Sequence, residues 1–189
     1  MNRIILKTPL SALVAASLHA GDGVLLTGTI YTARDAAHRR FKALLDKGDK
    51  LPVDFSGQVL YYCGPAPAKP GRPIGSAGPT TGGRMDPYTP QLLKVSGLRA
   101  MIGKGARGGA VIEALKKNGC VYFAALGGGG ALIGKTVTSS RIVCFEDLGP
   151  EAVYRFEVEN MPLIVAIDSK GNDLYDSGPA EYMKRNMPE

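Results

Sequence analysis

Short β-branched runs alternate with amphipathic stretches along the whole chain, and this alternation restricts the possible fold more than any other feature. Strand-like runs are read at Arg3 to Thr8, Val24 to Tyr31, Gln58 to Cys63, Leu98 to Ile102, Cys120 to Ala125, Arg141 to Glu146 and Leu163 to Asp168. They are rich in Val, Ile, Leu and Tyr, and Gly or Pro bounds several of them. Helical patterns lie between them. Leu10 to Leu18 is a short apolar stretch ending at Gly21, and Asp35 to about Lys47 sets Ala37, Phe41, Leu44 and Leu45 on one face. Pro90 suits the first turn of a helix to about Val95, and Gly119 closes one from Gly109 to Asn118. The tail from Gly178 reads as polar with one amphipathic turn. Alternation of this kind predicts an α/β fold with its functional residues on strand-to-helix loops. A length of 189 residues suits a single domain, 1–189, with one real core.

One segment breaks the alternation. Gly64 to Arg84 holds five prolines and six glycines and has no periodicity. Loops of that length inside a compact domain are usually functional or disordered, and composition alone leaves both readings open.

The formal charge of +6 is compatible with nucleic acid, an anionic membrane or a small anionic substrate. The basic residues are scattered, and the densest group, Arg39, Arg40 and Lys42, is what a solvated helix face looks like. With 7% aromatic residues and no Trp, a base-stacking platform is disfavoured, so a small anion fits better than nucleic acid. Three cysteines, Cys63, Cys120 and Cys144, are widely spaced without a CxxC pair. They indicate neither a zinc site nor a disulfide framework, and they suit a reducing cytoplasm. Cys120 and Cys144 lie in apolar runs and read as small buried hydrophobes. Arg3 and Lys7 before the apolar stretch imitate a secretory leader, but Pro9 separates a strand from a short helix there. No apolar run approaches the ~20 residues that span a bilayer.

Gly129 to Thr136, Gly-Gly-Ala-Leu-Ile-Gly-Lys-Thr, satisfies the spacing of a phosphate loop, which makes a nucleotide-binding protein the rival from another class. That loop needs a helix to begin at Gly-Lys-Thr, with its N–H groups facing the anion. Here Thr136-Val137-Thr138 is β-branched, and Ala131-Leu132-Ile133 is the more helical piece, which puts Lys135 near a helix end. Close packing of the glycines against the sheet is the favoured reading.

Three cations stand at strand ends beside glycines or at a helix start. Arg34 follows Val24 to Tyr31, Arg84 closes the long loop, and Lys104 lies between Gly103 and Gly105. Spacing alone leaves each of them an ordinary surface charge. The motifs around them carry more. The runs Leu26-Thr27-Gly28-Thr29, Ala33-Arg34-Asp35-Ala36-Ala37-His38, Tyr61 to Pro67, Gly78-Pro79-Thr80-Thr81-Gly82-Gly83-Arg84-Met85-Asp86, Ile102 to Gly105, Tyr122 to Gly128 and Pro162 to Asp168 together resemble the β subunit of class I fumarases and tartrate dehydratases. In single-chain class I fumarases the equivalent is the C-terminal domain.

The resemblance covers nearly the whole chain, and the Gly-Pro-Thr-Thr…Arg-Met segment is its most specific part. It implies a three-layer β/β/α swivelling domain. It also implies a hydro-lyase, most simply one that interconverts fumarate and malate, with tartrate or mesaconate as the neighbouring substrates. A [4Fe-4S] cluster would be held by an α-subunit partner and not by this chain. Arg34, Arg84 and Lys104 would hold the carboxylates of a small dicarboxylate, and Thr80 would face the proton at C3. Thr81 and His38 match family positions without an assigned role.

Overall fold

The computed structural model describes residues 3–186; the outermost residues of the expected domain, 1–2 and 187–189, lie outside the described residues. It is a mixed α/β fold with one seven-stranded sheet and six α-helices among the described residues. In chain order these are β1 (Ile4–Lys7), α1 (Ala12–Ser17), β2 (Gly23–Thr32), α2 (Asp35–Asp46), β3 (Val59–Tyr61), α3 (Thr89–Ser96) and β4 (Ala100–Gly103). There follow α4 (Gly109–Asn118), β5 (Val121–Ala124), α5 (Gly130–Thr136), β6 (Val137–Cys144), β7 (Val153–Ile167) and α6 (Leu174–Asn186).

Strands β1 to β5 are mutually parallel neighbours in sequence order. Parallel neighbours require a crossover between them, and α2, α3 and α4 supply those between β2 and β5. β7 runs antiparallel to β5, β6 and β2 at once. Its pairing with both β5 and β2 closes β2, β3, β4, β5 and β7 into a ring. Alternate side chains of the short central strands therefore enter two different apolar clusters. Val59, Tyr61, Ala100, Ile102, Val121 and Phe123 join one with Leu26, Ile30 and Val165. Leu60, Met101 and Tyr122 join the other, beneath Ala37 and Phe41 of α2, Leu92 and Leu93 of α3, and Val111 and Leu115 of α4.

Several boundaries differ from the sequence expectation for identifiable reasons. No strand was expected over residues 153–160, yet β7 is 15 residues long. Tyr154, Phe156 and Val158 alternate with Arg155, Glu157 and Glu159, a half-buried period of two masked by its charges. Where β2 and β7 slip register between Leu26 and Gly28, Asn160 takes a left-handed φ of 50°. The tail is not one amphipathic turn after Gly178 but α6, which begins at Leu174 and carries Pro179 inside it. Its polar composition hid it. Cys120 is buried as expected, whereas Cys144 is only half-buried, because β6 lies at the sheet edge. The stretch that imitated a leader forms β1 and α1, with Leu10, Ala15 and Leu18 in the core.

Two features of the fold bear directly on function. The long loop is pinned at both ends: Ala66 N–H donates to Ser76 O (2.8 Å) and Ala77 N–H to Gly130 O (2.9 Å), so it is an ordered segment. The Gly-Lys-Thr triplet lies in the last turn of α5, so carbonyls and not N–H groups face outward there, and Thr136 Oγ1 donates to Ile133 O (2.7 Å). That polarity is opposite to a phosphate loop. The glycines of α5 serve close packing, though against the long loop more than the sheet: a Cβ on Gly130 would stand 2.9 Å from Gly78 N. Among the described residues no helix is long and apolar enough to cross a membrane.

Candidate functional site

The carboxyl ends of β2, β3 and β4 deliver the residues singled out from sequence. Residues at the carboxyl ends of parallel strands are well placed to bind a ligand, because the strand ends hold loop side chains on a rigid base. Arg34 follows β2 directly and stands at the N-cap position of α2. Beyond β3 the chain enters the long loop, which returns so that Thr80 N–H donates to Tyr62 O (2.7 Å). Thr80 O then accepts from Lys104 N–H (3.2 Å), and Lys104 O accepts from Gly82 N–H (2.7 Å). Residues 80–82 thus run beside the end of β4 like one further strand, with Thr81 and Lys104 bridged in parallel. A helical turn of 3-10 type, Gly82–Met85, then carries Arg84.

That close return depends on small residues. A Cβ on Gly82 would meet the Tyr122 hydroxyl at 2.5 Å and Arg107 Cδ at 2.8 Å, and one on Gly103 would meet the same hydroxyl at 2.7 Å. These glycines let the threonine pair and Lys104 lie directly on the aromatic layer beneath.

Arg34 and Arg84 share one carboxylate. Arg34 Nε donates to Asp35 Oδ2 (3.1 Å), and Nε and Nη2 of Arg84 both lie 2.9 Å from Asp35 Oδ1. Burial alone would raise the Asp35 carboxyl, but its backbone hydrogen bond, the Arg34 hydrogen bond and the Arg84 and Arg34 charges together hold it below the usual value. Glu151 Oε1 stands 3.7 Å from Arg34 Nε, while its Oε2 accepts from Ala36 N–H (2.8 Å) and so caps the start of α2 from a distant segment.

Lys104 is exposed and lines a cavity of about 420 Å³ with Thr81, Gly105, Leu126, Leu174 and Tyr175. The two arginines are not among its lining residues; they stand on the β2 side of the same strand edge. Asp35 thus links Arg34 to Arg84, and the backbone bonds of Thr80 and Gly82 link the same loop to Lys104, but the three cations do not line one enclosed cavity. Thr80 is 8% exposed, and its hydroxyl makes no hydrogen bond among the described residues.

His38 belongs to the support and not to the cleft. It is fully buried among Phe41, Tyr62 and Tyr88, and its Nδ1 donates to Arg34 O (3.0 Å). Its Nε2 is buried without a partner, so a proton there would be stranded. Burial pushes its pKa down from 6.5 to about 4. The folded pKa lies below the unfolded one, so its contribution is complete above pH 6.5 and is lost as pH falls toward 4. Acidification across that window should cost about 3 kcal/mol. A His38→Gln variant should lose this slope in urea titrations between pH 7 and 4.5, and an unchanged slope would contradict the assignment. Asp35 acts lower, since its carboxyl is held below 3.8.

Two site residues escaped the sequence reading. Tyr175 lines the cavity, and its hydroxyl accepts from Gly105 N–H (2.9 Å). It lies between the strand read to Asp168 and the tail read from Gly178, where no element was expected. Arg107 is buried beneath Gly82, at the start of the turn that carries Arg84: Nε donates to Asp86 Oδ1 (2.7 Å), Nη2 donates to Thr89 Oγ1 (2.9 Å), and the guanidinium stacks between Tyr62 and Tyr122. Nothing in the pattern Gly105-Ala106-Arg107-Gly108 signalled a buried charge. The Asp86 of the Arg-Met-Asp motif is its counterion.

A sequence model of the family described as Fumarase C-terminus matches residues 1–178, which takes in every element above except most of α6. The chain belongs to the fumarase C-terminus family. Its curated relatives include the anaerobic class I fumarate hydratase of Escherichia coli, 40% identical over 151 residues (79% of this chain and 28% of that protein). Fumarate hydratase 1, mitochondrial, of Leishmania major is 42% identical over 153 residues (80% of this chain and 28% of that protein). A putative L(+)-tartrate dehydratase subunit beta of Methanocaldococcus jannaschii is 40% identical over 164 residues, 84% of either chain. The chain thus spans about 28% of the length of these fumarate hydratases and most of the length of the tartrate dehydratase subunit.

Class I fumarases are iron–sulfur enzymes, so the thiols of this family member need testing as ligands. Burial pushes the Cys63 thiol up to about 12 and those of Cys120 and Cys144 up to about 11, so all three are protonated at neutral pH. Cys63 and Cys120 point into opposite apolar clusters, and no group of three metal-ligating side chains exists among the described residues. These cysteines do not fit a cluster.

Proposed function

We propose that this chain is the β-type part of a hydro-lyase that interconverts fumarate and malate. In this reading Arg34, Arg84 and Lys104 grip the two carboxylates, and Thr80 faces the transferred proton. The observation that carries it is the link between three cations that lie 50 and 20 residues apart in sequence: Asp35 joins Arg34 to Arg84, and the segment that leads to Arg84 is hydrogen-bonded through Thr80 and Gly82 to Lys104. The [4Fe-4S] cluster belongs, in this reading, to an α-type partner polypeptide in the cytoplasm. The 28% coverage of the single-chain relatives and the similarity to a protein named subunit beta support that division. A single swivelling domain of three β/β/α layers is part of the same reading, supported by the two apolar clusters on opposite sides of the central strands.

The chemistry required of this chain is electrostatic. Removing the C3 proton of malate places a second negative charge on the neighbouring carboxylate. Preformed guanidinium and ammonium groups at that carboxylate stabilise the charge as it develops and need no reorganisation. An arginine fork also fixes the carboxylate plane, which aligns C3 with the threonine. Thr80 and Lys104 are held to each other through the backbone, so proton position and charge position are set by one hydrogen-bonded strand end.

L-Tartrate is the second reading, because the tartrate dehydratase relative has nearly this chain's own length. Anaerobic reconstitution with the cluster-bearing partner, followed by turnover of fumarate, tartrate and mesaconate, separates these substrates. Fumarate should give the highest kcat/KM. A clear preference for tartrate or mesaconate would move the assignment, and turnover of none would remove it.

A further inference from the structure

Asp35 has no role in the reading above, yet among the described residues it is the one side chain that hydrogen-bonds to both arginines. We infer that Asp35 is a positioning residue that holds Arg34 and Arg84 together as a single dicarboxylate-binding pair, an inference that rests on the proposed substrate class.

The argument begins with charge. Two guanidinium groups within hydrogen-bond distance of one carboxylate are close enough to repel each other strongly in a partly desolvated edge. An unpaired Arg84, its side chain more than half exposed, would swing away and lose its geometry to side-chain entropy. Asp35 prevents this by giving one oxygen to each partner: Oδ2 to Arg34 and Oδ1 to Arg84. It can do so because it occupies the first turn of α2, where the helix end favours a carboxylate and the backbone fixes its direction.

The atoms engaged matter as much as the charge. Arg34 meets Asp35 through Nε, and Arg84 meets it through Nε and Nη2. Nη1 and Nη2 of Arg34, and Nη1 of Arg84, make no hydrogen bond among the described residues. A carboxylate bound sideways at Nε leaves the outer amino groups for a second carboxylate. Asp35 thus occupies the inner side of both guanidiniums and presents their outer sides to a ligand. Asp35 and Glu151 together offset part of the positive charge, so the empty edge is stable without substrate.

The test is Asp35→Asn, which keeps size and shape and removes the charge, with Asp35→Ser as a second variant should the first fold poorly. Nitrogen-15 NMR of the arginine Nε–Hε groups, assigned through Arg34→Lys and Arg84→Lys, reports the pair directly in the full chain. Both signals should be protected from exchange in wild type and lose protection together in the Asp35 variants. In the assembly with the cluster-bearing partner, KM for fumarate should rise about tenfold while kcat falls less, since a geometry used for binding has been loosened. Response of only one arginine, or unchanged KM with wild-type turnover intact, would overturn the inference. A wild-type assembly that turns over no dicarboxylate would overturn the substrate reading instead, and the Nε–Hε signals would still decide whether Asp35 holds the pair.

Discussion

Arg84→Ala, in the chain assembled with the proposed cluster-bearing partner, is expected to lower kcat/KM for fumarate by about two to three orders of magnitude, or roughly 3–4 kcal/mol of transition-state stabilisation. The size follows from what the side chain faces. Arg84 sits on a short turn whose start is fastened to Lys104, and its guanidinium is oriented by Asp35. Charge builds on a substrate carboxylate only during proton transfer, so the guanidinium stabilises the transition state more than the ground state. The structural cost should be small. The Arg84 side chain is 52% exposed, and ion pairs of that exposure contribute about 0–1 kcal/mol to folding. Loss of activity without loss of Tm is therefore the signature. Arg84→Lys should recover only part of the activity, since an ammonium has no fork to meet Asp35 and a ligand together. Near-normal kcat/KM for Arg84→Ala would remove Arg84 from the site.

The pieces of the candidate site were legible in the sequence because they are local. Arg34 was legible as a cation between a strand and a helix, Lys104 as a cation between glycines, and Arg84 as the end of a proline- and glycine-rich loop. Arg34 and Lys104 each lie near a strand end, and strand ends are what periodicity locates. The convergence itself came from the resemblance and from the fold, since spacing alone left each cation a surface charge. Contacts between distant segments left no local trace. Glu151 reaches Ala36 N–H and Arg34 across 115 residues of sequence, and Asp35 joins Arg84 across 49. Nothing in either neighbourhood announces its partner. The closing strand β7 was half seen: Leu163 to Asp168 is a continuous apolar run, whereas residues 153–160 alternate with charges because β6 and β7 form the solvated part of the sheet.

The glycines show the same division. Gly119 was readable as a helix end from position alone, and it takes the left-handed conformation expected there. Gly82 and Gly103 were readable only as turn residues. Their reason is the Tyr122 hydroxyl and the Arg107 side chain beneath them, which belong to other elements. The loop motif Gly-Gly-Arg-Met-Asp therefore mixes two tasks. Arg84 faces outward to the ligand edge, and Asp86 faces inward to Arg107.

Arg107→Ala is expected to destabilise the fold by about 3 kcal/mol, at the lower end of the cost of breaking a buried ion pair. The Arg107 side chain is 0% exposed, whereas Asp86 is 24% exposed. Removing the arginine strands a carboxylate that can partly rehydrate, which sets the lower end of the range. Further losses are specific: Thr89 Oγ1 loses its donor, and Tyr62 and Tyr122 lose the cation stacked between them. For a chain of this length such a loss should lower Tm by roughly 6–12 °C. Arg107→Lys should rescue little, because one ammonium cannot reach Asp86 and Thr89 while stacking on both rings. The effect should also travel to the ligand edge. Arg107 lies under Gly82, and Asp86 Oδ2 accepts from Gly108 N–H (2.7 Å), so this pair ties the loop bearing Thr80 and Arg84 to the turn bearing Lys104. Activity of Arg107→Ala should fall even at temperatures where it remains folded. A Tm within about 2 °C of wild type would show that the buried charge contributes almost nothing net, and the two segments would then be held in register by the backbone bonds of Lys104 to Thr80 and Gly82 and by the Gly108–Asp86 hydrogen bond.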